Sequence, residues 1–86
     1  MRNLQLSKEA QKSLRDLPAK SAKKLADRFL ALRDNPLPDD VKRLHGSNFH
    51  RIRVGDFRAV YSYDAESVTV ALVEKRDDVY RKLRRR

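Results

Sequence analysis

The chain has 86 residues, a length that buries roughly 60% of the surface exposed on unfolding and leaves no material for a second core. One domain over residues 1–86 is therefore expected. Lysine and arginine number 21 against 12 aspartates and glutamates, a formal net charge of +9, and 38% of the residues are charged. A polyanion is the natural partner of such a surface, nucleic acid ahead of lipid. With 40% apolar residues, two glycines and three prolines, the composition is not that of a disordered tail. The absence of cysteine excludes disulfides, thiolate catalysis and cysteine-based zinc sites. No apolar run reaches signal-peptide length or the roughly 20 residues that span a bilayer, so a cytoplasmic protein without a membrane partner is expected.

Arg2 to Leu6 alternate polar and apolar residues, which predicts a short strand, and Ser7 can cap a following helix. Ala10, Leu14 and Leu17 share one face of that first helix, and Pro18 ends it or starts the next. In the second helix Ala22, Leu25, Ala26, Phe29, Leu30 and Leu32 form the apolar stripe, while Lys20, Lys23 and Lys24 lie outside it. Asn35-Pro36-Leu37-Pro38 stops it. Neither helix is long enough to be stable without a surface to pack on.

The second half supplies that surface, because the period of the apolar residues changes from about 3.6 to 2. Phe49 to Val54 and Phe57 to Tyr63 flank Gly55-Asp56, and a glycine at the first central position of a two-residue loop predicts a type II′ hairpin. Asp64 to Ser67 reads as another turn. Val68 to Val73 is nearly continuous in apolar residues and should lie inside the sheet. The closing segment from Val79 is short and basic, with Arg81, Lys82, Arg84, Arg85 and Arg86. The fold class predicted is α+β: a short N-terminal strand, two antiparallel helices packed on an antiparallel sheet of about four strands, and a short basic C-terminal segment.

Gly55 and Asp56 fix the hairpin register. Val54 then faces Phe57, Arg53 faces Arg58, Ile52 faces Ala59 and Arg51 faces Val60. Ile52, Val54, Phe57, Ala59 and Tyr61 form the helix-facing side, and Arg51, Arg53 and Arg58 gather on the other. Like charges opposite one another repel, so the cluster destabilises the sheet unless an anion or an acidic side chain lies between them. Half-buried antiparallel sheets often present charge to water, so pattern alone leaves a solvated face open. Three guanidiniums also suit bidentate binding of phosphate.

The run Leu44-His45-Gly46, the segment Phe49 to Tyr61 with its Arg51-Ile52-Arg53-Val54-Gly55-Asp56-Phe57-Arg58 hairpin, and Lys75-Arg76-Asp77-Asp78-Val79-Tyr80-Arg81 resemble the RelE/ParE superfamily of toxins. The resemblance extends over nearly the whole chain and implies a RelE-like fold. RelE-type members enter the ribosomal A site and cleave mRNA by attack of a ribose 2′-hydroxyl on the adjacent phosphate. ParE-type members inhibit DNA gyrase and are not nucleases. By resemblance, the catalytic positions are Arg51, Arg53, Arg58, Arg76 and Tyr80, and RNA contacts extend to Lys75, Arg81 and Lys82. Guanidiniums aimed at the phosphoryl oxygens would stabilise the charge that grows there, and Tyr80 could stack on a splayed base.

The family's described members carry lysines where this chain has Arg51 and Arg53, and a guanidinium does not accept a proton in a protein. The general base is therefore unassigned from sequence. His50 falls with Ile52 on the helix-facing side, His45 falls in a loop, and Lys75 would need its arginine neighbours to favour the neutral amine. Tyr61 and Tyr63 have the parity of core residues. Asp77 and Asp78 lack the further ligands of a metal site, and the resemblance implies a metal-independent, cofactor-free reaction. It also implies a cognate antitoxin in a heteromeric complex, with ribosomal RNA and mRNA as the other partners. A gyrase inhibitor and a ribosome-binding member without cleavage are the alternatives.

Overall fold

The computed structural model describes residues 1–44 and 46–75. His45, Arg76, Tyr80, Arg81 and Lys82 lie outside the described residues. The elements in chain order are β1 (Asn3–Leu6), α1 (Lys8–Asp16), α2 (Ala19–Leu32), β2 (Lys42–Arg43), β3 (His50–Val54), β4 (Phe57–Tyr63) and β5 (Ser67–Lys75). They form one five-stranded sheet in the order β1-β5-β4-β3-β2, with α1 packed on β5 and α2 on β3.

Two features of the sheet depart from the expected antiparallel arrangement of about four strands. β1 runs parallel to β5, pairing Asn3 with Ser67 through Leu6 with Val70. A parallel pairing needs a long crossover, here provided by everything between the two strands, and local alternation carries no trace of it. β2 supplies a fifth strand, but with two residues it is too short to show a period. β5 lies between β1 and β4 with neighbours on both sides, in keeping with its nearly continuous apolar run.

The hairpin register is as the sequence predicts, from Val54 opposite Phe57 to His50 opposite Tyr61. Gly55 has φ of 59°, the left-handed region that a primed turn requires at its first central residue. Ile52, Ala59, Tyr61, Val68, Val70 and Val73 meet Ala10, Leu25, Phe29 and Leu32 in the main core, with Val54 and Phe57 at its margin. Burial of a side chain such as Phe29 or Leu25 is worth about 1.5–3 kcal/mol. Leu30 departs from the expected stripe and is exposed. It lies on the flank of α2 turned away from the sheet.

Ser7 joins the two halves. Its hydroxyl oxygen accepts from the Ala10 amide at 3.0 Å, capping α1, and donates to the Ala71 carbonyl at 2.6 Å, while the Ser7 amide donates to the Val70 carbonyl at 2.9 Å. The β4–β5 register is irregular here, because Val60 pairs with Leu72 but Tyr61 pairs with Val70. Ala71 is thus the extra residue of a bulge, whose loosened carbonyl Ser7 satisfies. Tyr61, fully buried, donates its phenolic hydrogen to the Pro36 carbonyl at 2.5 Å and ties the loop after α2 to the core. Arg28 Nη2 donates to both carboxylate oxygens of Asp40, at 2.8 and 2.9 Å, beside the same loop.

Candidate functional site

Strand pairing builds the site as two rows across the face opposite the helices. One row runs Arg53, Arg58, Glu74 across β3, β4 and β5. The other runs Lys42, Arg51, Val60, Leu72 across β2 to β5. Side chains directly opposite on neighbouring strands share a face, so Arg51, Arg53 and Arg58 come together as the hairpin arithmetic requires. Arg53 is exposed, whereas Arg51, Arg58 and Glu74 are half-buried.

Beside these charges lies hydrocarbon. Val60, Ala71 and Leu72 are buried on this side of the sheet, with Leu44 and Phe49 packed over them. The apolar floor places the cations at the border of a poorly polarisable region, where they act on an anion more strongly than in open water. Arg58 has like charge on one side and a carboxylate on the other. Glu74 thereby offsets part of the Arg53–Arg58 repulsion.

His50 pairs with Tyr61 and sits at the margin of the helix-facing side. Its ring centroid lies 5.6 Å from that of Tyr61 and 5.4 Å from that of Tyr63. Burial chiefly, and the Arg43 charge next, hold its pKa below the ordinary value, against a smaller opposing effect of the Asn48 backbone. Its ring belongs to the aromatic packing and not to the arginine face.

Lys75 is the exposed last residue of β5. It pairs with Phe57, one residue out of phase with Glu74, and so lies on the side of α1, where it borders a groove with Lys12, Asp16, Leu17 and Phe57. Strand alternation therefore places it on the other side of β5 from Glu74 and its partner Arg58. Sequence reasoning missed Lys42 and Glu74. Lys42 carries no signal without the two-residue β2 strand. Glu74 could have been found by continuing the alternation from the hairpin into β5, but the bulge at Ala71 breaks the count.

No group of three or more histidine, aspartate or glutamate side chains that could hold a metal occurs among the described residues, and no helix among them is long and apolar enough to cross a membrane. The site can hold an anion on guanidiniums and place a carboxylate beside it.

Residues 4–80 match the family model described as the ParE toxin of the type II toxin–antitoxin system, parDE. The chain belongs to the RelE/ParE toxin family. A protein of Methanocaldococcus jannaschii named as a candidate toxin, RelE1, is 33% identical over 85 residues, covering 92% of this chain and 94% of that protein. The fold of this RelE/ParE chain is also that of solved structures. RelE in the RelE–RelB complex of Pyrococcus horikoshii superposes with a TM-score of 0.79 at 24% identity, over 88% of this chain and 96% of that one. A free-state variant of the E. coli toxin RelE gives 0.80 at 22% identity, over 98% and 96%.

Proposed function

We propose that this RelE/ParE toxin is a ribosome-dependent endoribonuclease that cleaves mRNA in the A site. The observation that carries the reading is the convergence of Arg51, Arg53 and Arg58 on one sheet face. In the proposed reaction a ribose 2′-hydroxyl attacks the adjacent phosphorus, and the 5′-oxygen leaves. The products are a 2′,3′-cyclic phosphate and a 5′-hydroxyl. Negative charge grows on the non-bridging oxygens in the transition state, and fixed guanidiniums stabilise it without reorganising. Arg58 is assigned that role, with Arg76 as its second member by resemblance and Tyr80 as the base-stacking group. Only RNA carries the nucleophile, so DNA at the same site would be bound and left intact.

The ribosome supplies positioning of the RNA, and the basic surface supplies attraction to rRNA phosphates. An antitoxin encoded with the toxin is proposed as the other partner, supported by the P. horikoshii relative, whose structure is a RelE–RelB complex. The cytoplasm, where ribosomes are met, is the proposed location.

Primer extension on mRNA in a purified translation system tests the reading. Codon-spaced cuts that vanish in a folded Arg58→Ala variant are expected. A second reading, a gyrase inhibitor, is favoured by the description of the matching family model. It predicts loss of supercoiling activity with mRNA intact.

A further inference from the structure

We propose that Glu74 is the general base of the cleavage, the group that takes the proton from the attacking 2′-hydroxyl. The assignment rests on the nuclease reading and supplies the role that arginines cannot fill. Arg51, Arg53 and Arg58 keep their protons in a protein. Glu74 is the one carboxylate within any described strand, and register places it directly across from Arg58, on the phosphate-binding face.

The row Arg53, Arg58, Glu74 therefore presents two cations and a proton acceptor in sequence across three neighbouring strands. Adjacent strands lie about 4.8 Å apart. A phosphate held on Arg58 thus brings the 2′-oxygen of the preceding ribose within reach of a side chain one strand away.

A Glu74 carboxylate oxygen removes the 2′-hydroxyl proton, and the freed oxygen pair forms the new bond to phosphorus. The bond from phosphorus to the 5′-oxygen breaks, its pair stays on that oxygen, and water protonates it. Glu74 then returns its proton to solvent. Among the described residues, strand pairing sets Arg58 across the sheet from Glu74, with Arg53 beyond it. On the α1 side, Glu9, Lys12 and Asp16 line the groove that Glu74 borders. β1 pairs only with Ser67 to Val70 and brings no charge opposite it.

A structural role would make Glu74 a mere counter-charge that aims Arg58. Glu74→Gln separates the two, since it keeps length and hydrogen-bonding capacity but cannot accept the proton. Single-turnover cleavage by the full chain on mRNA-programmed ribosomes is followed across pH for wild type, Glu74→Gln and Glu74→Asp. Affinity is measured in parallel on ribosomes carrying a 2′-deoxynucleotide at the cleavage position.

The expected result is a rate roughly 10²–10⁴-fold lower in Glu74→Gln. Affinity for the deoxy substrate is retained and the acidic limb of the pH–rate profile is lost. Glu74→Asp keeps that limb at a reduced rate. Cleavage by Glu74→Gln with the acidic limb intact, at whatever rate, overturns the assignment while leaving the nuclease reading in place. Absence of any cut by wild type overturns the nuclease reading itself and this step with it.

Discussion

Arg53→Gln should move stability and activity in opposite directions. Arg53 is exposed and stands directly opposite Arg58, so the pair is a like-charge cross-strand contact. Such contacts destabilise by about 0.2–1 kcal/mol. Glu74 on the far side of Arg58 relieves part of this and keeps the figure within that range. In a domain of this size 1 kcal/mol moves the Tm by about 4–8 °C, so Arg53→Gln is expected to raise it by roughly 1–8 °C. The rise should shrink in 1 M salt, where the Debye length falls to about 3 Å. Cleavage should drop by about 10²–10³, the usual loss for one preorganised contact to a developing oxyanion. Calorimetric melts at two salt concentrations and single-turnover cleavage on ribosomes measure both. A lower Tm at low salt together with undiminished cleavage would refute the idea that these guanidiniums are held together for an anion.

Ser7→Ala removes the α1 cap and strands the Ala71 carbonyl, which should cost about 2–3 kcal/mol and be read as a lower urea midpoint with the denaturant slope unchanged. Tyr61, its pKa pushed up from 10.0 to about 12 chiefly by burial, gives a pH signature. The unfolded chain loses this proton first, so wild type should lose up to about 2–3 kcal/mol between pH 10 and 12 relative to Tyr61→Phe, measured by urea titration at each pH. A difference that stays constant over that interval contradicts the buried hydroxyl. Lys42→Ala should flatten the salt dependence of RNA binding by about 0.7 in log–log slope, as expected for one lost phosphate contact on a single strand. An unchanged slope places Lys42 away from the RNA.

The sequence made the hairpin legible because Gly55-Asp56 and five alternating positions on each side leave a single register that buries Ile52 and Ala59. The arginine face followed without further assumption, since a strand's period is two. Ser7 was equally plain, a cap residue before a helical stripe. What stayed hidden was non-local. The parallel β1–β5 pairing joins segments more than sixty positions apart. β2 is recognisable only by its pairing with His50 and Arg51. Lys75 and Glu74 exchange sides relative to a simple count because Ala71 inserts a residue that composition does not announce. Leu30 shows the converse: a residue with the right period for the core can still lie beyond the edge of what the sheet covers.

The small second core of Val60, Ala71 and Leu72 beneath Phe49 and Leu44 does more than fill space. Hydrocarbon flanking Arg51 and Arg58 gives their charge little to polarise on that side, so attraction is directed toward whatever approaches the open face. A polar residue in place of the buried Leu72 would make that surrounding more polarisable and blunt the grip on an incoming nucleic-acid strand.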